Sequence, residues 1–242
     1  MRTLCIPDVH VPFSCPDAER LLHRLIRKHK PQKLVFLGDV LDCHAISTHN
    51  KVAYWRDNLE EEILQGYEYL KKVRKTCGPK TEIVYIQGNH ERRWAKMIGR
   101  CVPQLSMVRN LLPHFLKLKE LDIKWVQDAA VTPVWVQSGQ GKVRCYHGDE
   151  VRGSSAFGAR HALKIGKLIN SSVIIGHTHR HGCISFTVAG KKRNFVAIEL
   201  GHVADQKSKG MAYAYPQTDW TKCYALFDDK KKDSPLPEFI FV

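Results

Sequence analysis

Five short groups of polar side chains in this sequence have the residue types of a metal-dependent hydrolytic site. They are Asp8-Val9-His10, Gly38-Asp39, Gly88-Asn89-His90, His147 and Gly176-His177-Thr178-His179. Their donor atoms are carboxylate, imidazole and amide groups without a thiolate, a set that suits Mn, Fe, Zn or Ni. Seven candidate ligands are more than one ion needs, and they suit two ions about 3.5–4 Å apart that share a carboxylate. Two such ions clamp the oxygens of an in-line phosphoryl displacement and supply a bridging hydroxide as the nucleophile.

The predicted elements place all five groups at the ends of strands. Strands are predicted at residues 2–6, 33–37 and 81–86, and the third leads into Gly88, which allows a sharp turn. Amphipathic helices at 16–29 and 59–77 separate them. This alternating order predicts a parallel sheet with right-handed crossovers. Neighbouring strands lie roughly 4.8 Å apart, so their carboxyl ends can bring these side chains into one small volume.

Each polar group also has a plain structural explanation. Asp8 could cap a helix, Asp39 could be a turn residue, and His147 could be an exposed loop histidine. The placement of all five groups at strand ends favours a common site over these separate explanations.

The rest of the chain predicts further strands and a second sheet. Residues 91–121 are predicted to be helical with a break near 99–103, and residues 159–169 form another helix. Strands are predicted at 123–127, 131–137, 142–146, 172–175, 182–189, 192–200 and 221–227. Tight turns between the later strands predict a second, mostly antiparallel sheet. We therefore expect an α/β fold, an α+β sandwich, in a single domain.

Charge, hydropathy and cysteine content limit the binding partners and the cellular compartment that we expect. The formal net charge of +14 and pI of about 9.5 favour an anionic partner such as nucleic acid, a nucleotide or a phosphoprotein, and a basic solvated surface explains them equally well. No apolar run approaches the ~20 residues of a membrane span, and the N-terminus does not resemble a signal peptide. The eight cysteines contain no C-x-x-C pair, which indicates reduced thiols. We expect a cytoplasmic protein without a membrane partner, and its oligomeric state stays open.

The ordered motifs D-x-H, G-D-x-x-D, G-N-H-E, H and G-H-x-H resemble those of the calcineurin-like metallophosphoesterases, and most of all the small bacteriophage and prophage members. Asp42 and Glu91 complete the second and third motifs, and the resemblance covers residues 8–179. It implies a single metallophosphoesterase domain over residues 1–242. Its fold would be two mixed β-sheets, packed together and flanked by helices in four layers. A phage-encoded chain would act in the host cytoplasm.

The resemblance also implies two divalent metal ions, expected to be Mn²⁺, with Fe, Zn or Ni as alternatives. One ion would be held by Asp8, His10, Asp39 and His179, and the other by Asp39, Asn89, His147 and His177. Asp39 would bridge the two. His90 would contact the substrate phosphate and help the leaving oxygen, and Asp42 would orient His90. The alternatives are an eighth ligand for His90 and a simple turn acid for Asp42.

The residues around the motifs bear on the substrate. Cys43 follows Asp42, whereas the Ser/Thr protein phosphatases of this superfamily have Arg-Gly there, and this difference counts against a protein phosphatase. Arg92, Arg93 and Arg180 adjoin the motifs and are candidate phosphate contacts, although the first two could also lie on a solvated helix face. The leading hypothesis is a phosphodiesterase, nuclease or phosphatase acting on a nucleic acid or nucleotide. The alternatives are a protein phosphatase and a non-catalytic binding scaffold.

Several other histidines and the tryptophans lie outside the motifs. The histidines are His44, His49, His181 and His202, each near a motif or at a strand end. The tryptophans, which are core residues by default, are Trp55, Trp94, Trp125, Trp135 and Trp220. The basic run at 230–232 is predicted to be a solvated turn.

Overall fold

The computed structural model describes residues 1–48, 58–151, 158–191, 194–214, 219–232 and 234–242. The strands are β1 (Arg2–Ile6), β2 (Lys33–Phe36), β3 (Glu82–Ile86), β4 (Ile123–Val126), β5 (Val134–Ser138), β6 (Gly141–Cys145), β7 (Ser172–Ile175), β8 (His181–Phe186), β9 (Phe195–Leu200), β10 (Cys223–Asp228) and β11 (Glu238–Phe241). The helices are α1 (Pro16–His29), α2 (Leu59–Cys77), α3 (Arg92–Cys101), α4 (Leu112–Phe115) and α5 (Arg160–Ile169). Short 3₁₀ turns cover His44–Ile46, Pro103–Val108 and Lys209–Ala214.

The strands form two mixed sheets flanked by helices, which confirms the predicted fold class. The first sheet has the order β11-β10-β1-β2-β3-β4. Strands β1 to β4 are parallel, because α1 and α2 carry the chain back across the sheet between them, whereas β10 and β11 pair antiparallel at the other edge. The predicted parallel half of the fold is therefore present.

The second sheet has the order β5-β6-β7-β9-β8, and it corrects the expectation of a mostly antiparallel sheet. Only the outer pairs, β5–β6 and β8–β9, are antiparallel hairpins. The inner pairs are parallel, because α5 forms a crossover between β6 and β7 and the β8 hairpin returns the chain beside β7 as β9. The predicted strand near 221–227 is β10, which belongs to the first sheet, and β11 was not predicted.

Two apolar clusters hold the layers together, one on each face of the first sheet. Leu4 and Ile6 of β1 pack with Leu22 of α1 and Leu70 of α2 on the outer face. The alternate residue Cys5 lies in the inner cluster, together with core residues of β5, β6, β7 and β9. Successive side chains of a strand point to opposite faces, so both faces of β1 are apolar and covered. All eight cysteines are free thiols.

Between β3 and β4 the predicted break is present, but the predicted helix after it is wrong, because that part contains only a 3₁₀ turn and the four-residue α4 and has no helix beyond Phe115. Helix α3 ends at Cys101, and a 3₁₀ turn starts at Pro103, because proline cannot continue the hydrogen bonds of the preceding helix. No described helix has both the length and the hydropathy that crossing a bilayer requires.

Candidate metal centre

The carboxyl ends of β1, β2, β3, β6 and β7 bring the predicted ligands together. Three groups of side chains have potential ligand atoms that all lie within 4.8 Å of one another: Asp8, His10 and His179; His10, Asp39 and His90; and Asp39, His147 and His177. Asp39 is shared between the second and third groups, and His10 between the first and second. Asn89 joins the third group, because its Oδ1 lies 2.8 Å from Nε2 of His147. All the predicted ligands therefore lie in one cluster.

The backbone of this cluster is conformationally strained. Four of the predicted ligands, His10, Asp39, His177 and His179, have positive φ angles of 54°, 50°, 67° and 59°. Non-glycine residues in the left-handed region cost of order 1–3 kcal/mol each, and such residues concentrate at functional sites. The surrounding hydrogen bonds must therefore fix these tips firmly.

Two glycines permit the close approach of the strand tips. A Cβ atom at Gly88 would collide with the carboxylate and backbone of Asp39, and one at Gly176 would collide with the carboxylate of Asp8. Gly88 does not have a positive φ, so the close packing of two tips, and not the sharp turn expected from the sequence, requires glycine there.

The first group has its lone pairs directed at a common point. Nδ1 of His10 donates to Oδ2 of Asp42 at 2.9 Å, which leaves the lone pair on Nε2. That Nε2 faces Nε2 of His179 at 3.0 Å. Nδ1 of His179 is buried and has no hydrogen-bond partner among the described residues. Asp8 is held by the backbone N–H of His177, which donates to both carboxylate oxygens at 3.0 and 2.9 Å.

The ligand atoms of the third group, Asp39, His147 and His177, also face one another. Nδ1 of His147 donates to the backbone oxygen of Leu37 at 2.9 Å, so Nε2 is the nitrogen left to hold a proton or a metal ion. This Nε2 faces Oδ1 of Asn89 and Oδ2 of Asp39, at 2.8 and 3.3 Å. Electron-pair donors that converge in this way repel one another unless a proton or a cation lies between them. The residues present therefore fit a bound metal ion.

The ionisation of the cluster follows from burial and mutual charge. Burial by itself raises the pKa of Asp39, but the imidazoles of His147 and His90 outweigh it and hold that pKa well below its usual range. Burial lowers the pKa of His147, and the Asp39 carboxylate more than reverses the effect and raises it well above the usual value. Burial and the nearby His147 lower the pKa of His177 to about 4. Burial and His10 lower the pKa of His179 well below the usual value.

His90 lies between the cluster and a cationic side chain. Its Nδ1 donates to the backbone oxygen of Asp42 at 2.8 Å, and its Nε2 accepts from Arg93 at 3.1 Å and lies 3.7 Å from Asp39. The Asp42 carboxylate is 3.5 Å from Nδ1 of His90 and closer to His10. Asp42 therefore supports two imidazoles, where the sequence predicted one. Burial lowers the pKa of His90, and the carboxylates of Asp39 and Asp42 raise it above the ordinary value.

The three predicted phosphate-contacting arginines have different surroundings. Arg93 faces the cluster: it donates to the backbone oxygen of Asp42 at 2.9 Å and lies 3.5 Å from the Asp42 carboxylate. Arg92 forms an ion pair with Asp149, and Arg180 forms one with Asp219 at 2.7 Å. Arg93 is consequently the candidate whose guanidinium lies beside His90.

Glu91 has a role that the sequence reasoning did not assign. Its carboxylate is fully buried and accepts four hydrogen bonds, from the backbone N–H groups of Asp39 (3.1 Å), Leu41 (3.0 Å) and Gly88 (2.7 Å) and from the hydroxyl of Tyr85 (2.6 Å). This one side chain ties the tip of β2 to the tip of β3. Its position in the third motif was the sequence signal that Glu91 belongs to the site. The neighbouring sequence does not indicate which groups would donate hydrogen bonds to it.

A second buried carboxylate, Glu199 of β9, braces the tip of β7. One oxygen accepts from the backbone N–H of His161, at 2.7 Å, and of Ala162 at the start of α5, and the other accepts from the Thr178 hydroxyl at 2.6 Å. Thr178 lies between two predicted ligands, so Glu199 links helix α5 to the site.

His202 and Trp220 form an aromatic wall beside His179. The ring of His202 stacks on His179 with centroids 5.1 Å apart, and Trp220 meets His179 edge-on at 4.3 Å. Burial and the nearby His10 lower the pKa of His202 to about 3, so its ring is neutral. In the sequence, only its position at a strand end indicates a role for His202, and Trp220 is predicted as a core residue.

The remaining residues noted from the sequence lie away from the ligand atoms or outside the described part. His44 packs on Phe13, and His181 packs on Phe239 and Phe241. Trp94, Trp125 and Trp135 pack against Phe115, Tyr85 and Arg144, respectively. His49 and Trp55 lie outside the described residues.

Comparison with known proteins gives a family match and more distant relatives. The sequence model for calcineurin-like phosphoesterases matches residues 1–181. The Gene 54 protein of Mycobacterium phage L5 is 25% identical over 224 residues, covering 85% of this chain and 80% of that protein, which confirms the expected similarity to phage proteins. Among solved structures, Vps29 of Chaetomium thermophilum is 14% identical, with a TM-score of 0.44 over 94% of this chain and 80% of its own. The phosphoesterase Yfce from E. coli is 16% identical, with a TM-score of 0.40 and 100% coverage of both chains.

Proposed function

The chain belongs to the calcineurin-like phosphoesterase family, and on that premise we propose that it hydrolyses phosphoester bonds of a nucleic acid or nucleotide with two divalent metal ions. The observation that carries the proposal is the convergence of three His/Asp groups, buried except for the half-buried His177, that are linked through Asp39 and His10. Carboxylate, imidazole and amide donors suit Mn²⁺, which we take as the first candidate.

The two ions have a natural division of ligands. One would be held by Asp8, His10, Asp39 and His179, and the other by Asp39, Asn89, His147 and His177. The hydrogen bonds of His10 and His147 support this division, because each ring uses Nδ1 outside the cluster and directs Nε2 at it. Ions bound there would act as Lewis acids on the phosphoester and lower the pKa of a coordinated water.

The other side chains of the cluster have roles in positioning and proton transfer. His90 would contact the substrate phosphate through Nε2, because its Nδ1 is bound to the backbone oxygen of Asp42. The raised pKa of His90 favours the imidazolium, and in that form the Nε2–H would give a proton to the leaving oxygen. Arg93, which lies beside Nε2 of His90, would contact an unesterified phosphate oxygen. Glu91 and Glu199 hold the strand tips in place.

Two observations favour a polyanionic substrate over a phosphoprotein. The formal net charge is +14, which concentrates anions near the surface. The position after Asp42 is occupied by Cys43, which is fully buried, so it supplies no cation to grip a phosphomonoester. The competing function is that of a scaffold, which would bind a partner through this fold without hydrolysing a phosphoester.

A substrate panel tests the proposal. Purified protein loaded with Mn²⁺ would be assayed on aryl phosphate monoesters and diesters, cyclic nucleotides, single- and double-stranded DNA, RNA and a phosphopeptide. We expect Mn²⁺-dependent hydrolysis of a diester and of at least one nucleic acid or nucleotide. The matched control is Asp39→Asn, which should be inactive throughout. No hydrolysis by the metal-loaded wild type would overturn the enzymatic assignment, and activity on the phosphopeptide alone would overturn the substrate class.

A further inference from the structure

A pocket of about 340 Å³ opens beside the candidate metal centre, between helix α3 and the loop that follows β2. Helix α3 lines it with Arg93, Lys96, Met97 and Arg100, and the predicted ligand Asn89 also lines it. The opposite wall includes Ile46 and Thr48. The pocket is therefore continuous with the cluster through Asn89 and through Arg93, whose guanidinium contacts His90.

The cations of this pocket form a ridge that leads away from the metal centre. Positions 93, 96 and 100 share one face of a helix, because residues three and four apart are neighbours on its surface. Seven residues of helix rise by ~10 Å, so the ridge is longer than one phosphate group. Arg93 is the end that lies at His90, and Arg100 is the far end.

The two outer cations are available to a ligand. Lys96 and Arg100 are exposed, and neither forms an ion pair with another residue of the described ranges. Arg92, one position before Arg93, is by contrast paired with Asp149. None of the described lining residues carries a carboxylate. The Asp42 carboxylate lies 3.5 Å from Arg93 at the inner end of the pocket, so Lys96 and Arg100 are the cations that an anion would meet without a paired acidic group in the described ranges.

We propose that this pocket binds the phosphate groups that neighbour the scissile phosphate along an oligonucleotide strand. The proposal rests on the proposed function and makes its substrate more specific. A substrate with one phosphate would reach Arg93 only, whereas a strand would place further phosphates along Lys96 and Arg100. The described lining residues offer cations for phosphate groups and no aromatic ring. We therefore expect the strand to be held by its sugar–phosphate backbone and binding to be independent of base sequence.

The test compares two substrates in one protein preparation. The variant is Lys96→Gln/Arg100→Gln, and the measured quantity is the ratio of kcat/KM on a single-stranded oligonucleotide to kcat/KM on bis(p-nitrophenyl) phosphate, each with Mn²⁺. Loss of two phosphate contacts should lower this ratio roughly tenfold at 0.15 M salt, and it should make the slope of log kcat/KM against log salt shallower by about 1.4. DNA and RNA oligonucleotides are run in parallel to distinguish the two kinds of strand.

The matched control removes two cations from a basic groove elsewhere on the molecule. Arg24 and Lys75 line a pocket between α1 and α2 that contains none of the predicted ligands. Arg24→Gln/Lys75→Gln lowers the net charge equally and should leave the ratio unchanged. An equal loss of ratio in this control would show that general charge attracts the strand and would overturn the proposal.

The outcomes separate this inference from the proposed function. Wild-type protein that hydrolyses neither substrate contradicts the proposed function itself. Wild-type protein that hydrolyses both, with an unchanged ratio in Lys96→Gln/Arg100→Gln, contradicts only the pocket assignment. A proportional loss on both substrates also contradicts it, because the two cations would then act at the scissile phosphate.

Discussion

The replacement Glu91→Gln tests whether one buried carboxylate holds two strand tips in register. Oε2 of Glu91 accepts from the backbone N–H groups of Asp39 and Gly88, and Oε1 accepts from the N–H of Leu41 and the hydroxyl of Tyr85. Glutamine must place an NH₂ group at one of these positions. The less costly choice is the Oε1 side, because the Tyr85 hydroxyl can rotate to accept, but the N–H of Leu41 then has no acceptor.

The size of the effect follows from that unsatisfied donor. A buried N–H without a partner costs about 1–3 kcal/mol, and the remaining hydrogen bonds weaken because the acceptor is no longer charged. Burial raises the pKa of Glu91, so the ionised carboxylate is itself costly to bury and its removal offsets part of the loss. We expect the free energy of unfolding of the metal-free protein to fall by about 2 kcal/mol. Mn²⁺ affinity should fall roughly 10–100-fold, since the hydrogen bonds behind Asp39 are disturbed.

Urea unfolding with and without Mn²⁺, together with calorimetric Mn²⁺ titration, measures both quantities. The matched control is Tyr85→Phe, which removes one donor to the same carboxylate and leaves no backbone N–H unpaired. It should cost less stability than Glu91→Gln and keep Mn²⁺ affinity close to that of the wild type. The reasoning is refuted if Glu91→Gln is as stable as the wild type, or if it and Tyr85→Phe have the same effect on metal affinity.

Three further predictions concern the cluster itself. Asp39→Asn should lose both Mn²⁺ binding and phosphodiesterase activity, as measured by calorimetry and hydrolysis of an aryl diester, because the charge shared by the two ion positions is removed; full activity would contradict its bridging role. His90→Asn should keep its bound metal but lose turnover by on the order of 10²–10⁴, and loss of metal instead would make His90 a ligand. The raised pKa of His147 means that Mn²⁺ must displace its proton near neutral pH, so metal affinity should strengthen up to about tenfold per pH unit from pH 6 to 8 with measurable proton release. A pH-independent affinity would exclude that competition.

The strand ends were predictable because their signal is local. The apolar run of β3 stops before Gly88, and Asn89 and His90 follow it directly. Parallel strands joined by helices must present such ends at one edge of the sheet, so the sequence was sufficient to predict which side chains would meet. The same logic selected His202, which does lie beside His179.

The sheet assignment of the later strands was not predictable in this way. The strand β10 is buried along most of its length and pairs with β1. A strand that is apolar on both faces carries no alternation to indicate its neighbours, and it fits the centre of either sheet. The parallel pairs of the second sheet depend on the α5 crossover and on the return of β9 past β8, which are features of topology and not of local pattern.

The supporting carboxylates and ion pairs were also beyond the local sequence. Glu91 accepts from Leu41, 50 positions earlier, and Glu199 accepts from His161, 38 positions earlier. Arg92 and Arg93 are adjacent and chemically identical, yet only Arg93 faces His90, because Arg92 reaches Asp149. Such choices depend on which distant chain segment lies within reach after folding.

The stoichiometry of bound metal tests the central claim most directly. Protein freed of metal by a chelator would be dialysed against excess Mn²⁺ and analysed by inductively coupled plasma mass spectrometry alongside protein concentration. The three His/Asp groups overlap at Asp39 and His10, and their ligands divide into two sets that share Asp39. This division predicts two Mn²⁺ ions per chain at saturation. Saturation at one ion per chain, or no bound ion, would contradict a two-metal phosphoesterase site.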